Sequence, residues 1–155
     1  MMDINEALAD FQFLKNRVTK FSVNYKTTEI KEKSALINCD IDYDIVDFIE
    51  DDSKFIGIMN FIVDLKAKAK NLVIFKMHLN MEGTFVGNPK KLNKEQFMNM
   101  LELNGVATLS QFSRSYISSV STLSGINPPV NLPMINIHTL REFKLKKEEK
   151  RKNNS

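Results

Sequence analysis

A chain of 155 residues, 43% apolar and with a formal charge of +3, has the size of one domain with one ordinary core. Its single cysteine, Cys39, excludes an internal disulfide and suits a reducing compartment. The acidic start MMDINEALADF lacks the regions of a secretory signal, and no stretch approaches the roughly 18–20 apolar residues of a membrane span. A cytoplasmic location is therefore expected.

The charge is unevenly spread. Arg141, Lys144, Lys146, Lys147, Lys150, Arg151 and Lys152 oppose only Glu142, Glu148 and Glu149, so this end carries +4 and the rest of the chain −1. Eleven Phe and eight Met without any Trp is a less ordinary mixture, since Met gives flexible, polarizable surface that adapts to varied partners.

After a polar lead at residues 1–9, Phe11 and Phe13 alternate, as do Phe21, Val23 and Tyr25. Lys15 and Arg17 interrupt the pattern, which predicts one long strand with a bulge or break near Asn16. Residues 26–33 form a polar connection. Ala35, Ile37, Cys39, Ile41, Tyr43 and Ile45 then alternate with Asn38, Asp40, Asp42 and Asp44, which specifies a strand with one buried and one wet face. Val46 and Phe48 break the parity before the turn EDDSK.

A third run places Phe55, Gly57, Met59, Phe61, Val63, Leu65, Ala67 and Ala69 on one face. The other face begins with Ile56, Ile58 and Ile62 and ends with Asp64, Lys66, Lys68 and Lys70. The fourth run is Val73, Phe75, Met77, Leu79, Met81 and Phe85, joined to the third by a hairpin at Lys70-Asn71. Strands that follow one another this closely predict meander order.

Past Gly87-Asn88-Pro89 the period changes. Asn93 with Gln96 forms a capping box for a short helix that ends near Gly105. Leu109, Phe112, Tyr116, Val120 and Leu123 give a longer helix capped by Gly125. Its back is read as small hydroxyl residues, Ser110, Ser113, Ser115, Ser118, Ser119, Ser121 and Thr122. Small side chains let helices approach closely, so Ser115, Ser118, Ser119 and Thr122 are candidates for a contact with another subunit; a plain solvated face is the other reading. Three prolines force an extended crossover at residues 126–133. Asn136 caps a last helix through Leu140 and Phe143, which gives way to a disordered basic tail at 144–155. The expected fold is α+β: a four-stranded antiparallel meander sheet, with a long helix and a C-terminal helix packed on one face, in a single domain over residues 1–143.

Catalytic signatures are missing, and neither an enzyme nor a cofactor is expected. His78 and His138 are the only histidines, and neither has a second His or a Cys at a metal-ligand spacing. There is no Gly-x-Ser-x-Gly elbow and no phosphate-binding glycine loop. The row Asp40, Asp42, Asp44 lacks the Gly and distant Glu of a calcium loop, so it reads as a solvated strand face. His78, on the wetter face of its strand, reads as a surface residue.

Several segments, taken in order, resemble the SecB family of export chaperones. They are Phe11-Gln12-Phe13, Thr19-Lys20-Phe21-Ser22-Val23, Met81-Glu82-Gly83-Thr84-Phe85, the helix around Phe112-Ser113-Arg114-Ser115-Tyr116, and Gly125 with Pro129-Val130-Asn131-Leu132-Pro133. The resemblance spans roughly residues 11–140. It implies a homotetrameric dimer of dimers with helices between sheets, and passive binding of unfolded polypeptides or preproteins along apolar grooves, without nucleotide. The candidate groove residues are Ile37, Ile41 and Tyr43 on a strand, Tyr116, Val120 and Leu123 on the long helix, Val130 and Leu132 in the crossover, and Leu140 and Phe143 on the last helix. Each residue type serves equally well in a closed core.

Exporting members carry acidic residues where the translocation ATPase docks, and the matching positions here are Lys20, Asn24 and His78. Their tail is acidic as well, whereas Lys144 to Lys152 is basic. Hand-over to that ATPase is therefore in doubt, and a chaperone dedicated to an antitoxin of a toxin–antitoxin system is a serious alternative. A third reading is a small nucleic-acid-binding protein that uses the basic tail.

Overall fold

The computed structural model describes residues 9–26 and 36–153. Most of the expected polar lead, most of the first connection and Ala35 lie outside the described residues. Four long strands, β1 (Phe11–Tyr25), β2 (Leu36–Glu50), β3 (Phe55–Ala69) and β4 (Leu72–Gly87), form one antiparallel sheet. Helices α1 (Lys94–Met100), α2 (Val106–Leu123) and α3 (Ile137–Asn153) follow them.

β2, β3 and β4 are hairpin neighbours, as a meander requires. β1 departs from that order: it pairs with β4, so the lateral order is β1-β4-β3-β2 and β1 and β2 are the two edges. Alternation along a strand says which face a side chain takes but not which neighbour the strand has.

The interruption in β1 is two bulges. Pairing with β4 shifts between Phe13 and Lys15 and again between Val18 and Lys20. Each extra residue reverses the parity. Phe11, Phe13, Val18, Phe21 and Val23 therefore share the helix-covered face, while Lys15, Arg17 and Lys20 point to the other. The parity break in β2 has the same origin, a shift between Ile45 and Asp47 that returns Phe48 to the inner face opposite Gly57.

The core lies between this inner face and the helices. Phe61, Phe75, Phe85, Phe97, Leu101 and Leu109 are fully buried. Phe97 touches the rings of Phe11, Phe48 and Phe55 at centroid distances of 5.5–5.8 Å. Helix α1 opens on the expected capping box, where Asn93 Oδ1 accepts from Gln96 N and Gln96 Oε1 accepts from Asn93 N.

The helix does not end at Gly105. A π-helical turn over Leu101–Gly105 carries the right-handed backbone from α1 straight into α2. Gly105 is required for close approach instead of termination: a Cβ there would lie 2.6 Å from Met59 Sδ. Gly125, at φ 75°, does end α2, with Gly125 N donating to Thr122 O and Ile126 N to Ser121 O.

The basic segment is also different from its expectation. Residues 144–153 are the continuation of α3, which Asn136 caps through a bond from Thr139 N. Ion pairs to β2, described below, supply what its sparse apolar residues do not.

At Gly87 a Cβ would enter the buried ring of Phe97, 2.8 Å from its Cε2. Aromatic rings do not compress, so Gly87→Ala is expected to cost about 1–3 kcal/mol in urea unfolding. An unchanged midpoint would show that α1 can lift off the sheet freely.

Candidate functional site

The expected groove residues separate into three groups. Tyr43, Val130 and Leu132 are closed core, 4%, 2% and 1% exposed, and are corrected out of the open surface. Tyr43 lies under the ammonium of Lys144, 4.6 Å from its ring centre. The crossover folds back on the end of α2, where Val130 N donates to Ser121 Oγ at 2.9 Å, and this seals Val130 and Leu132 inward.

A second group lies beside β1. Tyr116 is half-buried and meets Phe21 edge-on at 5.3 Å, and Phe112 meets Phe13 at 5.2 Å. Val120 continues this seam half-buried, and Leu123 at the end of α2 is 87% exposed.

The third group belongs to β2 and α3. Ile37 is exposed, and Cys39, Ile41 and Ile45 are half-buried along the inner face of β2. Leu140 is half-buried in the first turns of α3, while Phe143 and Leu145 are exposed, Phe143 by 68%. β1 and β2 are opposite edges, so Tyr116 and Ile37 do not share one groove within the chain. Between β2 and α3 runs a trough of mixed character, with a cavity of about 250 Å³ lined by Tyr43, Asp44, Ile45, Glu102, Lys144, Leu145 and Glu148.

Lys144 sets the height of this trough. Its Nζ donates to Asp44 Oδ1 at 2.7 Å, to Asp42 Oδ1 at 3.1 Å and to the carbonyl of Tyr43. Arg141 adds a pair with Glu102 at 2.7 Å and donates to Asn99 at 2.7 Å. Lys147 lies 3.7 Å from Asp42. Burial opposes the charge on Lys144, but the hydrogen bonds and charges of Asp44 and Asp42 outweigh it and hold its pKa above 10.5. Burial likewise opposes ionisation of Asp42, and the Lys144 bond, the Tyr43 amide and the nearby lysines outweigh it, leaving its pKa below 3.8. Sequence reasoning treated both partners as solvated. The signal available was the match between an acidic strand edge at 40–44 and a basic run beginning at Lys144.

Cys39 lies in the same row. Burial, then the charges of Asp40 and Asp64, push its thiol up to about 11.

The hydroxyl face of α2 is smaller than expected. Ser110, Ser113 and Ser121 are buried, and Ser121 Oγ also donates to Ser118 O at 3.0 Å. Ser115, Ser119 and Thr122 are exposed and Ser118 is half-buried. Gln111, Arg114 and Asn131 border them, which makes this face polar. Among the described residues no cluster of three or more metal-ligating side chains occurs, and no helix is long and apolar enough to cross a membrane.

The arrangement is similar to the Mycobacterium tuberculosis SecB-like chaperone Rv1957, solved in complex with a ChAD peptide from the Rv1956 HigA1 antitoxin. The two share 13% identity and a TM-score of 0.59 over 82% of this chain and 91% of that one. A protein of unknown function from Streptococcus agalactiae is similar at a TM-score of 0.42 and 9% identity, over 80% of this chain and 97% of that one. No protein-family model and no curated protein matches the sequence. At these identities the likeness establishes a SecB-like fold.

Two predictions follow from the trough. Lys144→Met is expected to lower stability by about 1 kcal/mol, because partly solvent-exposed charged bonds are worth no more, and to speed tryptic cleavage after Lys146 and Lys147. The raised Lys144 value stabilises the docked helix below its ordinary 10.5, an effect lost as pH climbs through the folded value. The lowered Asp42 value stabilises it above 3.8, an effect lost as pH falls through the folded value. Cleavage in α3 should thus be slowest between those limits; a rate indifferent to the substitution would remove Lys144 as the clasp. In the second, Cys39 should react with iodoacetamide at neutral pH roughly a hundredfold more slowly than a thiol of ordinary pKa 9.0, recovering in urea.

Proposed function

We propose that this SecB-like chain is a nucleotide-independent chaperone that holds extended, non-native polypeptide in the trough between β2 and α3. The observation that carries the reading is the apolar row Ile37, Cys39, Ile41, Ile45 along an edge strand, with the exposed Leu145 of α3 lining a cavity beside Ile45. Monomeric proteins seldom leave contiguous apolar surface open without a partner for it. An extended segment presents alternate side chains to such a row, at the spacing of the strand itself.

Burial yields roughly 25 cal/mol per Å², so binding grows with the length of chain captured and asks for no fixed sequence. The seam of Tyr116, Val120 and Leu123 beside β1 offers a second foothold for the same client, and linked footholds raise avidity through effective concentration.

A client of one kind, the disordered part of an antitoxin, is the narrower form of this reading. It is favoured by the solved SecB-like neighbour, which holds an antitoxin peptide. The nucleic-acid reading loses ground, because Arg141, Lys144 and Lys147 are already in ion pairs. Engagement of the translocation ATPase also has little support, since Lys20, Asn24 and His78 present no acidic group.

Purified protein in severalfold molar excess is expected to suppress aggregation of a chemically unfolded client without ATP. Ile37→Asp with Leu145→Asp should weaken that protection about fivefold or more while leaving the circular dichroism unchanged, because both side chains are exposed. Undiminished protection by the double variant would place the client elsewhere. A dedicated binder would instead protect a single extended apolar peptide tightly and leave generic clients to aggregate.

A further inference from the structure

The sheet face turned away from the helices carries a cleft that neither the core nor the trough explains. It encloses about 500 Å³ and lies toward the β3–β4 hairpin. Two cross-strand rows floor it. One reads Asn24, Lys76, Lys66, Asn38, and the next Ser22, His78, Asp64, Asp40. Lys68, two residues beyond Lys66 on β3, lines the hairpin end. Like charges set directly opposite one another across a sheet are destabilising. Lys66 and Lys76 are so placed on the two central strands. Among the described residues, neither they nor Lys68 have an ion-pair partner.

We infer that this cleft binds a small phosphorylated sugar or polyol, its phosphate on the lysines and its hydroxyls on the second row. Directly opposed residues have Cβ atoms about 4.5–5.5 Å apart, and residues two apart on a strand are separated by about 7 Å. Three ammonium groups on long stems therefore converge within reach of one tetrahedral anion, which lysine binds as a point charge. Asn24 and Asn38 flank the pair with amide donors. One row on, the character inverts. His78 Nδ1 donates to Asp64 Oδ1 at 2.7 Å, which leaves Nε2 to accept from a ligand hydroxyl. Asp40 presents a second, exposed carboxylate, and Ser22 adds a hydroxyl of its own.

The two rows together disfavour a longer anion. A polynucleotide or an acidic peptide lying along the strands would bring its next negative charge about 7 Å on, against Asp64 and Asp40. Across the strands the lysine row ends in neutral Asn24 and Asn38, which supply no further cation. One dianionic group on a neutral, hydroxyl-bearing body meets neither obstacle, and carboxylates accept from hydroxyls strongly. The volume agrees: it is far more than a bare phosphate fills and lies in the range of small-molecule sites. Lys66 and His78 are half-buried, which strengthens their charge interactions relative to bulk water. The cleft uses Asn38 and Asp40 of β2, whereas the trough uses Ile37, Cys39 and Ile41 on the other side of that strand. The two sites therefore lie back to back and share no side chain.

Isothermal titration calorimetry at low salt tests this with glucose 6-phosphate, glycerol 3-phosphate, inorganic phosphate and glucose. At least one of the two esters should bind about tenfold more tightly than inorganic phosphate, and glucose should give no heat. Lys66→Gln/Lys76→Gln should weaken the ester about tenfold or more without lowering the thermal midpoint, because it relieves a like-charge contact. Asp40→Asn/Asp64→Asn should erase the preference for the ester over inorganic phosphate. Lys90→Gln/Lys91→Gln, exposed beyond the far end of β4, removes the same charge and should leave binding unchanged. The inference is overturned if neither ester binds at millimolar concentration, if the Lys90/Lys91 change costs as much as the Lys66/Lys76 change, or if hexa-aspartate or a short single-stranded oligonucleotide binds more tightly than both esters. None of these outcomes bears on client capture by the trough, which the aggregation assay reads separately.

Discussion

The ammonium of Lys144 meets three acceptors at the open edge of β2, the carboxylates of Asp42 and Asp44 and the carbonyl of Tyr43. An edge strand presents unpaired backbone groups that invite association, and covering such an edge is a common remedy. Here the cover is a single cation on a helix with no buried residue of its own. Ile137 and Leu140 pack against the core in its first turns, and beyond them the ion pairs of Arg141, Lys144 and Lys147 fix where α3 lies. The trough lies where those apolar contacts give way to a polar strut.

Much of the fold was readable because strand alternation is enforced along the whole chain. The rows in β2, β3 and β4, the Lys70-Asn71 hairpin, the Asn93–Gln96 box and the Gly125 cap each depend on neighbours a few residues away, and local chemistry is what a sequence displays. The lateral place of β1 depended on contacts some sixty residues distant, so it was not. Gly105 illustrates the same limit. Locally it looks like a helix terminator, yet its lack of a side chain serves the contact with Met59, a residue on another element. Val130 and Leu132 were indistinguishable from groove residues until the bond from Val130 N to Ser121 Oγ turned the crossover inward. Ile37, Ile41 and Phe143 were legible only as apolar residues of a suitable type, whereas the clasp was hidden because each charged run was considered alone.

The same strand order partitions the charge. With β1 and β2 at opposite edges, the basic row and the acidic row cannot meet, although a true meander would have set them side by side and let them cancel. Lys15 and Arg17 reach the outer face only because two bulges flip the parity of β1 and flip it back. Bulges are thus what allow one strand to send aromatic rings to the core at both ends and cations to the far side in the middle. One topological choice yields an inner face that can be closed by helices and an outer face that is polarised from edge to edge.

Holding a chain without nucleotide sets a bound on how strong each contact should be. Ordering one residue of a flexible client costs about 1–2 kcal/mol of backbone entropy. Burying one of its larger apolar side chains returns about 1.5–3 kcal/mol. Every second residue of an extended client on the proposed site would face the row on β2, so gain and cost would nearly cancel over a short stretch. Net affinity then comes from length, or from a client that is already extended, and release needs only that a few contacts fail together. A fully closed, dry tunnel would shift that balance toward irreversible capture. The Lys144 clasp would work against such closure: it keeps a cation and two partly exposed carboxylates beside the apolar row.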